Sequence, residues 1–164
     1  PKPGRKHPNG ALEWSKGTPY SLAMGHNILT TGLQLVRAYA VLANRGTLVK
    51  PTLIEKIENK NGKILFQHEE KRGEKLLADE IIEPVVQAMK YTTKPGGTAR
   101  RAQIPGYTVA GKTSTPKKII DGIYSERIYV PRFIGFSPAK DPPFVLLVTM
   151  EEPKFGYVPG RGLN

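Results

Sequence analysis

The residues best suited to chemistry lie together in Gly106-Tyr107-Thr108-Val109-Ala110-Gly111-Lys112-Thr113-Ser114-Thr115. A lysine here stands among hydroxyl side chains, at the end of a run that reads as a strand. An ammonium flanked by hydroxyl donors suits a carboxylate, because charge-assisted hydrogen bonds are about twice as strong as neutral ones. A strand also holds such donors more rigidly than a loop would. With a period of two, Thr113 and Thr115 project to one face, and Lys112 and Ser114 to the other. The two threonines then form the face presented to an anion.

No other group of residues competes with this one. Ser114-Thr115-Pro116-Lys117 and Ser137-Pro138-Ala139-Lys140 match the S-x-x-K spacing of a serine activated by a lysine one helical turn on. Both contain proline, neither opens a helical pattern, and Pro138 disfavours helical backbone at Ser137. His7, His26 and His68 lack metal-ligand spacing and fall in separate elements, so no metal site is expected. Glu151 and Glu152 are neighbours, on opposite faces if the strand continues, which does not suit an acid/base pair. The chain has no cysteine, which excludes a disulfide framework and thiolate metal ligands.

The elements that must position Lys112 follow from pattern. Leu33, Leu35, Val36, Tyr39, Val41 and Leu42 recur at helical spacing, predicting a helix over 31–45 with Thr31 as N-cap and Gly46 as stop. The runs 52–57 and 64–67 flank Asn59-Lys60-Asn61-Gly62 and predict a β-hairpin. Asp79 is placed to cap a second helix over 79–91, despite Pro84, and Pro95-Gly96-Gly97 ends it. Three strands are expected over 107–115, 128–136 and 144–150, paired as an antiparallel meander. The first seventeen residues show no period and read as a loop or extended arm. The fold class is therefore α+β: an antiparallel sheet flanked by helices. The net charge of +11 makes the surface attractive to anions without specifying a site. Apolar runs such as 144–150 are much shorter than the ~20 residues needed to span a bilayer.

The Lys112 segment resembles the K-T-G strand of penicillin-binding proteins and serine β-lactamases, in the longer pattern G-Y-x-V-A-G-K-T-G-T, with Ser114 in place of a glycine. Gly97-Thr98-Ala99 resembles the G-T-A lead-in of the high-molecular-weight transpeptidases. Leu33-Gln34-Leu35 through Ala38-Tyr39 and Leu42-Ala43-Asn44-Arg45-Gly46 is similar to their L-Q-L-x-x-A-Y-x-x-L-A-N-x-G helix. Phe133-Ile134-Gly135-Phe136-Ser137-Pro138-Ala139 with Asp141-Pro142 resembles their F-x-G-F-x-P-A hairpin, and Glu152-Pro153 the E-P beyond the last strand. These blocks occur in family order from about Trp14 onward, and the monofunctional, class B branch fits best.

The resemblance implies residues 1–164 as the C-terminal part of one transpeptidase domain, with fold and function to match. That domain cross-links peptidoglycan stem peptides through a serine acyl-enzyme and is the target of β-lactams; no cofactor is implied. It further implies that Lys112 joins the catalytic hydrogen-bond network. Thr113 and Thr115 contact the carboxylate of substrate or β-lactam, with Ser114 between them, and the Thr115 N–H supplies half of an oxyanion hole. The S-x-N of the family is not found, and its nucleophile belongs to an upstream part. The implied partners are that upstream part and the cell-wall synthesis machinery, on the periplasmic or extracytoplasmic side of a membrane anchored by an N-terminal segment. Lysines after Thr115 lean toward a septal role. The alternative is a noncatalytic anion- or nucleic-acid-binding module using Arg127, Arg132 and Lys140 beside Tyr129, Phe133 and Phe136. A stacking platform needs those aromatics exposed, whereas the alternation of this run suits a half-buried strand, so no nucleic acid is expected.

Overall fold

The computed structural model describes residues 4–6, 14–23, 25, 28–69, 73–121 and 123–153. The chain divides into two compact units, Pro1–Thr31 and Gly32–Asn164. The first contains a short helix, α1 (Thr18–Ala23), just beyond the seventeen residues without a period, in a stretch where no element is expected from the sequence. Its start is held locally: the Ser15 N–H donates to Thr18 Oγ1 at 2.8 Å and the Thr18 N–H to the Ser15 carbonyl at 3.1 Å. His7 and His26 lie outside the described residues.

The second unit opens with helix α2 (Gly32–Ala43). Gly46 ends this turn of chain with φ +86 and an N–H donated to the Val41 carbonyl at 2.7 Å, a left-handed stop that only glycine takes freely. A Cβ there would lie 2.1 Å from the Leu77 carbonyl oxygen, so packing demands glycine as well. Strands β1 (Lys56–Glu58) and β2 (Ile64–Gln67) form the expected antiparallel hairpin. Asn59 Oδ1 accepts the N–H groups of Asn61 and Lys63 in its loop, and Gly62 supplies φ +76.

Helix α3 (Asp79–Tyr91) accommodates Pro84 within its length. Its N-cap is Ala78 and not Asp79, and no side chain caps it. Asp79 lies in the first turn, where its carboxylate accepts the Lys75 ammonium at 2.8 Å and favours the positive end of the helix dipole. The hydrogen bond from Lys75 holds the Asp79 carboxyl below the usual carboxylate range. The same ammonium donates to the Arg45 carbonyl at 2.6 Å, tying the end of α2 to the start of α3.

The central sheet has the order β3-β6-β7, all antiparallel: β3 is Ala110–Ser114, β6 Arg132–Phe136 and β7 Val145–Thr149. A separate hairpin, β4 (Lys117–Ile120) with β5 (Ile123–Tyr129), leaves β3 and returns to β6. The single strand expected over 128–136 is therefore two strands. Pro131 has no N–H to give a ladder, and the chain changes sheets there. The strand expected over 107–115 is shorter too, since Gly106 adopts φ +81 and the chain straightens only at Ala110.

One face of the sheet is covered by helices. Ile82, Val86 and Met89 of α3 are buried with Ala110, Phe136 and Ala139, and Tyr39, Leu42 and Ala43 of α2 pack against them with Val145. Burial raises the pKa of the Tyr39 hydroxyl. Alternation puts Gly111, Thr113, Phe133, Gly135, Leu146 and Val148 on the opposite face, and the register sets Gly111 beside Gly135 beside Leu146. This glycine pair is a steric requirement: a Cβ on Gly111 would meet the Phe133 ring at 2.5 Å.

Candidate active-site strand

Strand β3 pairs with β6 along one edge only, and hydrogen bonds show which of its backbone groups face away from the sheet. The carbonyl of Val109 accepts Thr93 Oγ1 at 3.3 Å, that of Gly111 accepts Thr92 Oγ1 at 2.9 Å, and that of Thr113 accepts Lys112 Nζ at 2.7 Å. In contrast, the Pro116 carbonyl accepts the Val130 N–H at 2.9 Å and so faces inward, continuing the β3–β6 register. Odd-numbered residues thus turn their N–H and C=O groups outward, even-numbered ones inward. Thr115 is the next odd residue.

The outer edge is lined by the turn that follows α3. Thr92 and Thr93 at the helix end give their hydroxyls to β3, and the Ala99 N–H returns to the Thr92 carbonyl at 2.8 Å. Gly96, with φ +87, and Gly97 make this turn tight; a Cβ on Gly97 would lie 2.2 Å from the Thr92 carbonyl oxygen. The turn delivers Thr98 to Thr113, whose Oγ1 atoms stand 2.7 Å apart. In the sequence Thr98 stands out only as the middle of Gly97-Thr98-Ala99, with no role of its own. The missed signal is the turn itself, whose two glycines fold the chain back on the strand.

Lys112 is exposed, Thr113 and Thr115 are half-buried and Ser114 is exposed. The lysine shares a face with Ser114 by alternation, yet its ammonium bends over the outer edge to the Thr113 carbonyl. The structure therefore brings Lys112, Thr113 and Thr98 together at one edge. Ser114 stands opposite Arg132 on β6, a half-buried guanidinium whose Nε has no hydrogen-bond partner among the described residues.

Other candidates are placed elsewhere. Ser137 is 8% exposed and its hydroxyl donates to the Thr108 carbonyl at 3.3 Å, which leaves it neither free nor on a helix. Lys118 on β4 pairs with Glu152 and lies 4.0 Å from Glu151, so these charges form a surface cluster; the hydrogen bond that Lys118 donates to Glu152 raises the Lys118 pKa. Arg100 and Arg101 begin an exposed 3-10 turn. Phe136, offered as one of the stacking aromatics, is 2% exposed and belongs to the core, while Phe133 lies over Gly111. Among the described residues no group of His, Cys, Asp and Glu is gathered as for a metal ion. A cavity of about 410 Å³ opens between α2 and the 76–77 segment, lined by Gln34, Arg37, Val41 and Leu77. None of its lining residues belongs to β3 or the Thr98 turn.

A family model described as the penicillin binding protein transpeptidase domain matches residues 3–161. This chain belongs to that family. It is 32% identical over 151 residues to a probable peptidoglycan D,D-transpeptidase of Neisseria gonorrhoeae, covering 90% of this chain and 24% of the relative. To the peptidoglycan D,D-transpeptidase FtsI of Escherichia coli it is 32% identical over 152 residues, covering 92% and 24%. Among solved structures, the transpeptidase domain of Burkholderia pseudomallei penicillin-binding protein 3 superposes with a TM-score of 0.73 at 25% identity, covering 92% of this chain and 43% of that one. Penicillin-binding proteins are thus its relatives by sequence and by mixed helix and antiparallel-sheet architecture. The chain spans about a quarter of the length of these curated relatives. The nucleic-acid-binding alternative finds no support in them.

Proposed function

We propose that residues 1–164 are the C-terminal part of a peptidoglycan D,D-transpeptidase domain and supply its substrate-gripping strand, Lys112-Thr113-Ser114-Thr115. The observation that carries this is the outer edge of β3, where the Lys112 ammonium lies 2.7 Å from the outward-turned Thr113 carbonyl and the Thr113 hydroxyl lies 2.7 Å from that of Thr98. Class B relatives act as peptidoglycan D,D-transpeptidases by name.

In this reading the terminal carboxylate of a stem peptide, or of a β-lactam, lies along the outer edge against Thr113 and Thr115. The Lys112 ammonium adds positive charge where that anion sits, and charge-assisted bonds fix its orientation. The Thr115 N–H, turned outward by the odd-residue alternation of β3, contributes one donor to the oxyanion that forms when the substrate carbonyl is attacked. A serine from an upstream part of the domain adds to the carbonyl carbon and expels the terminal D-alanine as an amine. The amino group of a second stem peptide then displaces the serine oxygen, completing the cross-link. β-Lactams enter the same step with an amide that cannot leave, consistent with a solved Mycobacterium penicillin-binding protein 3 complexed with ampicillin. The domain works outside the cytoplasmic membrane, held by an anchor; among the described residues no helix is long and apolar enough to cross a membrane.

Covalent labelling with fluorescent penicillin tests the reading. The complete domain carrying this segment is expected to label, and excess unlabelled ampicillin to abolish the signal. Absence of labelling in a folded complete domain overturns it.

A further inference from the structure

We propose that Thr98 is a positioning residue for carboxylate recognition, acting through the Thr113 hydroxyl; the proposal rests on the transpeptidase reading above. The Thr113 hydroxyl donates to Thr98 Oγ1 at 2.7 Å, a full hydroxyl–hydroxyl bond. Each hydroxyl carries one proton and can also accept, so the pair has two protons, and one is spent in the mutual bond. A carboxylate only accepts. Without ligand the Thr113 hydroxyl spends its proton on Thr98; for Thr113 to donate to a substrate carboxylate the pair must reverse, Thr98 turning its own proton to Thr113. The resulting chain runs from the Thr98 O–H to Thr113 Oγ1 and from the Thr113 O–H to the anion. Each bond polarises the next in the same direction, and both protons stay on their own oxygens.

The surroundings of Thr98 suit this task better than that of a general clamp. Strand and turn are already fastened by Thr92 Oγ1 on the Gly111 carbonyl, Thr93 Oγ1 on the Val109 carbonyl and the Ala99 N–H on the Thr92 carbonyl. The Thr98 hydroxyl is exposed and, among the described residues, adds no further tie to the backbone of β3; there it reaches only the Thr113 side chain. Without it Thr113 is free to spread over its staggered rotamers, and its donor is no longer aimed. The effect therefore falls on ligands that carry a carboxylate, in proportion to the bond lost.

The test uses the complete domain carrying this segment and two probes, benzylpenicillin and its methyl ester, with the second-order acylation rate measured for each. Thr98→Val is expected to lower the acid-to-ester preference about tenfold, the effect of one well-placed hydrogen bond, with thermal unfolding unchanged. Thr98→Ser, which restores the hydroxyl, is expected to recover the wild-type preference. A parallel loss on both probes, or a Thr98→Val domain that matches wild type on both, overturns the proposal alone. A wild-type domain acylated by neither probe overturns the transpeptidase reading and this proposal with it.

Discussion

The Thr92 hydroxyl stands 2.9 Å from the carbonyl oxygen of Gly111, nineteen residues further along the chain. It lies 2.8 Å from the Met89 carbonyl as well, so one proton serves both the end of α3 and the edge of β3. Thr92→Val keeps the shape of the side chain and leaves a half-buried carbonyl without its donor. The expected loss is about 1 kcal/mol of stability, the usual net worth of such a bond. Denaturant unfolding of the complete domain checks this, and Thr92→Ser is expected to recover most of it.

Gly111 is held to glycine by a neighbour rather than by its backbone angle. A Cβ would meet the Phe133 ring at 2.5 Å and the Ile134 carbonyl oxygen at 3.1 Å. Gly111→Ala must push the ring aside or shift β3 off β6, and overpacking of this kind typically costs about 1–3 kcal/mol. Because Lys112 and Thr113 follow directly, penicillin acylation is expected to fall with stability. Unchanged melting and acylation would show that Phe133 moves away freely.

What the sequence makes legible here is what short-range pattern encodes. The period of Leu35, Val36, Tyr39 and Leu42 reports α2, and Asn59 to Gly62 reports the hairpin, because each feature lies within one element. The Lys112 strand is legible for the same reason. The break at Pro131 was readable in principle, since a proline denies the ladder a donor, but the apolar alternation on both sides of it conceals the change of sheet. Asp79 looked like a cap because it precedes an apolar period; Lys75, one turn upstream, instead binds its carboxylate. The Thr98–Thr113 bond joins residues fifteen apart across a glycine turn, and no periodicity carries information of that range. Helix α1 is too short for a period to appear.

Lys112 and Thr113 contribute little packing, as the lysine is exposed and the threonine half-buried. Lys112→Ala and Thr113→Ala are therefore expected to leave unfolding nearly unchanged while slowing β-lactam acylation of the complete domain at least tenfold. Equal rates for wild type and variants would remove both residues from the site.

Ser114 stands where the family pattern has glycine, and its side chain projects to the face of Lys112, away from Thr113. No transition-state contact is expected to vanish in Ser114→Gly, so acylation should stay within about threefold of wild type. A hundredfold loss would mean that the hydroxyl takes part in catalysis and that the face assignment is wrong.

The 164-residue chain on its own is expected to form no covalent adduct with penicillin. A serine hydroxyl is a weak nucleophile at neutral pH and needs a base within hydrogen-bond reach. Ser114 lies on β3, where a residue three places on faces the other way, and Lys117 already belongs to the next strand. Ser137 is buried with its hydroxyl on the Thr108 carbonyl, and the residues after it form bends rather than a helical turn that would bring Lys140 back. Each S-x-x-K match thus lacks the geometry that would activate its serine. Grip without a nucleophile binds β-lactam reversibly at most. Intact-mass spectrometry after incubation with benzylpenicillin is expected to show the unmodified chain, and a penicilloyl adduct to appear once the upstream part of the domain is supplied, on that part. An adduct on Ser114 or Ser137 of the isolated chain would place the nucleophile within these residues and overturn the division of labour proposed for the strand.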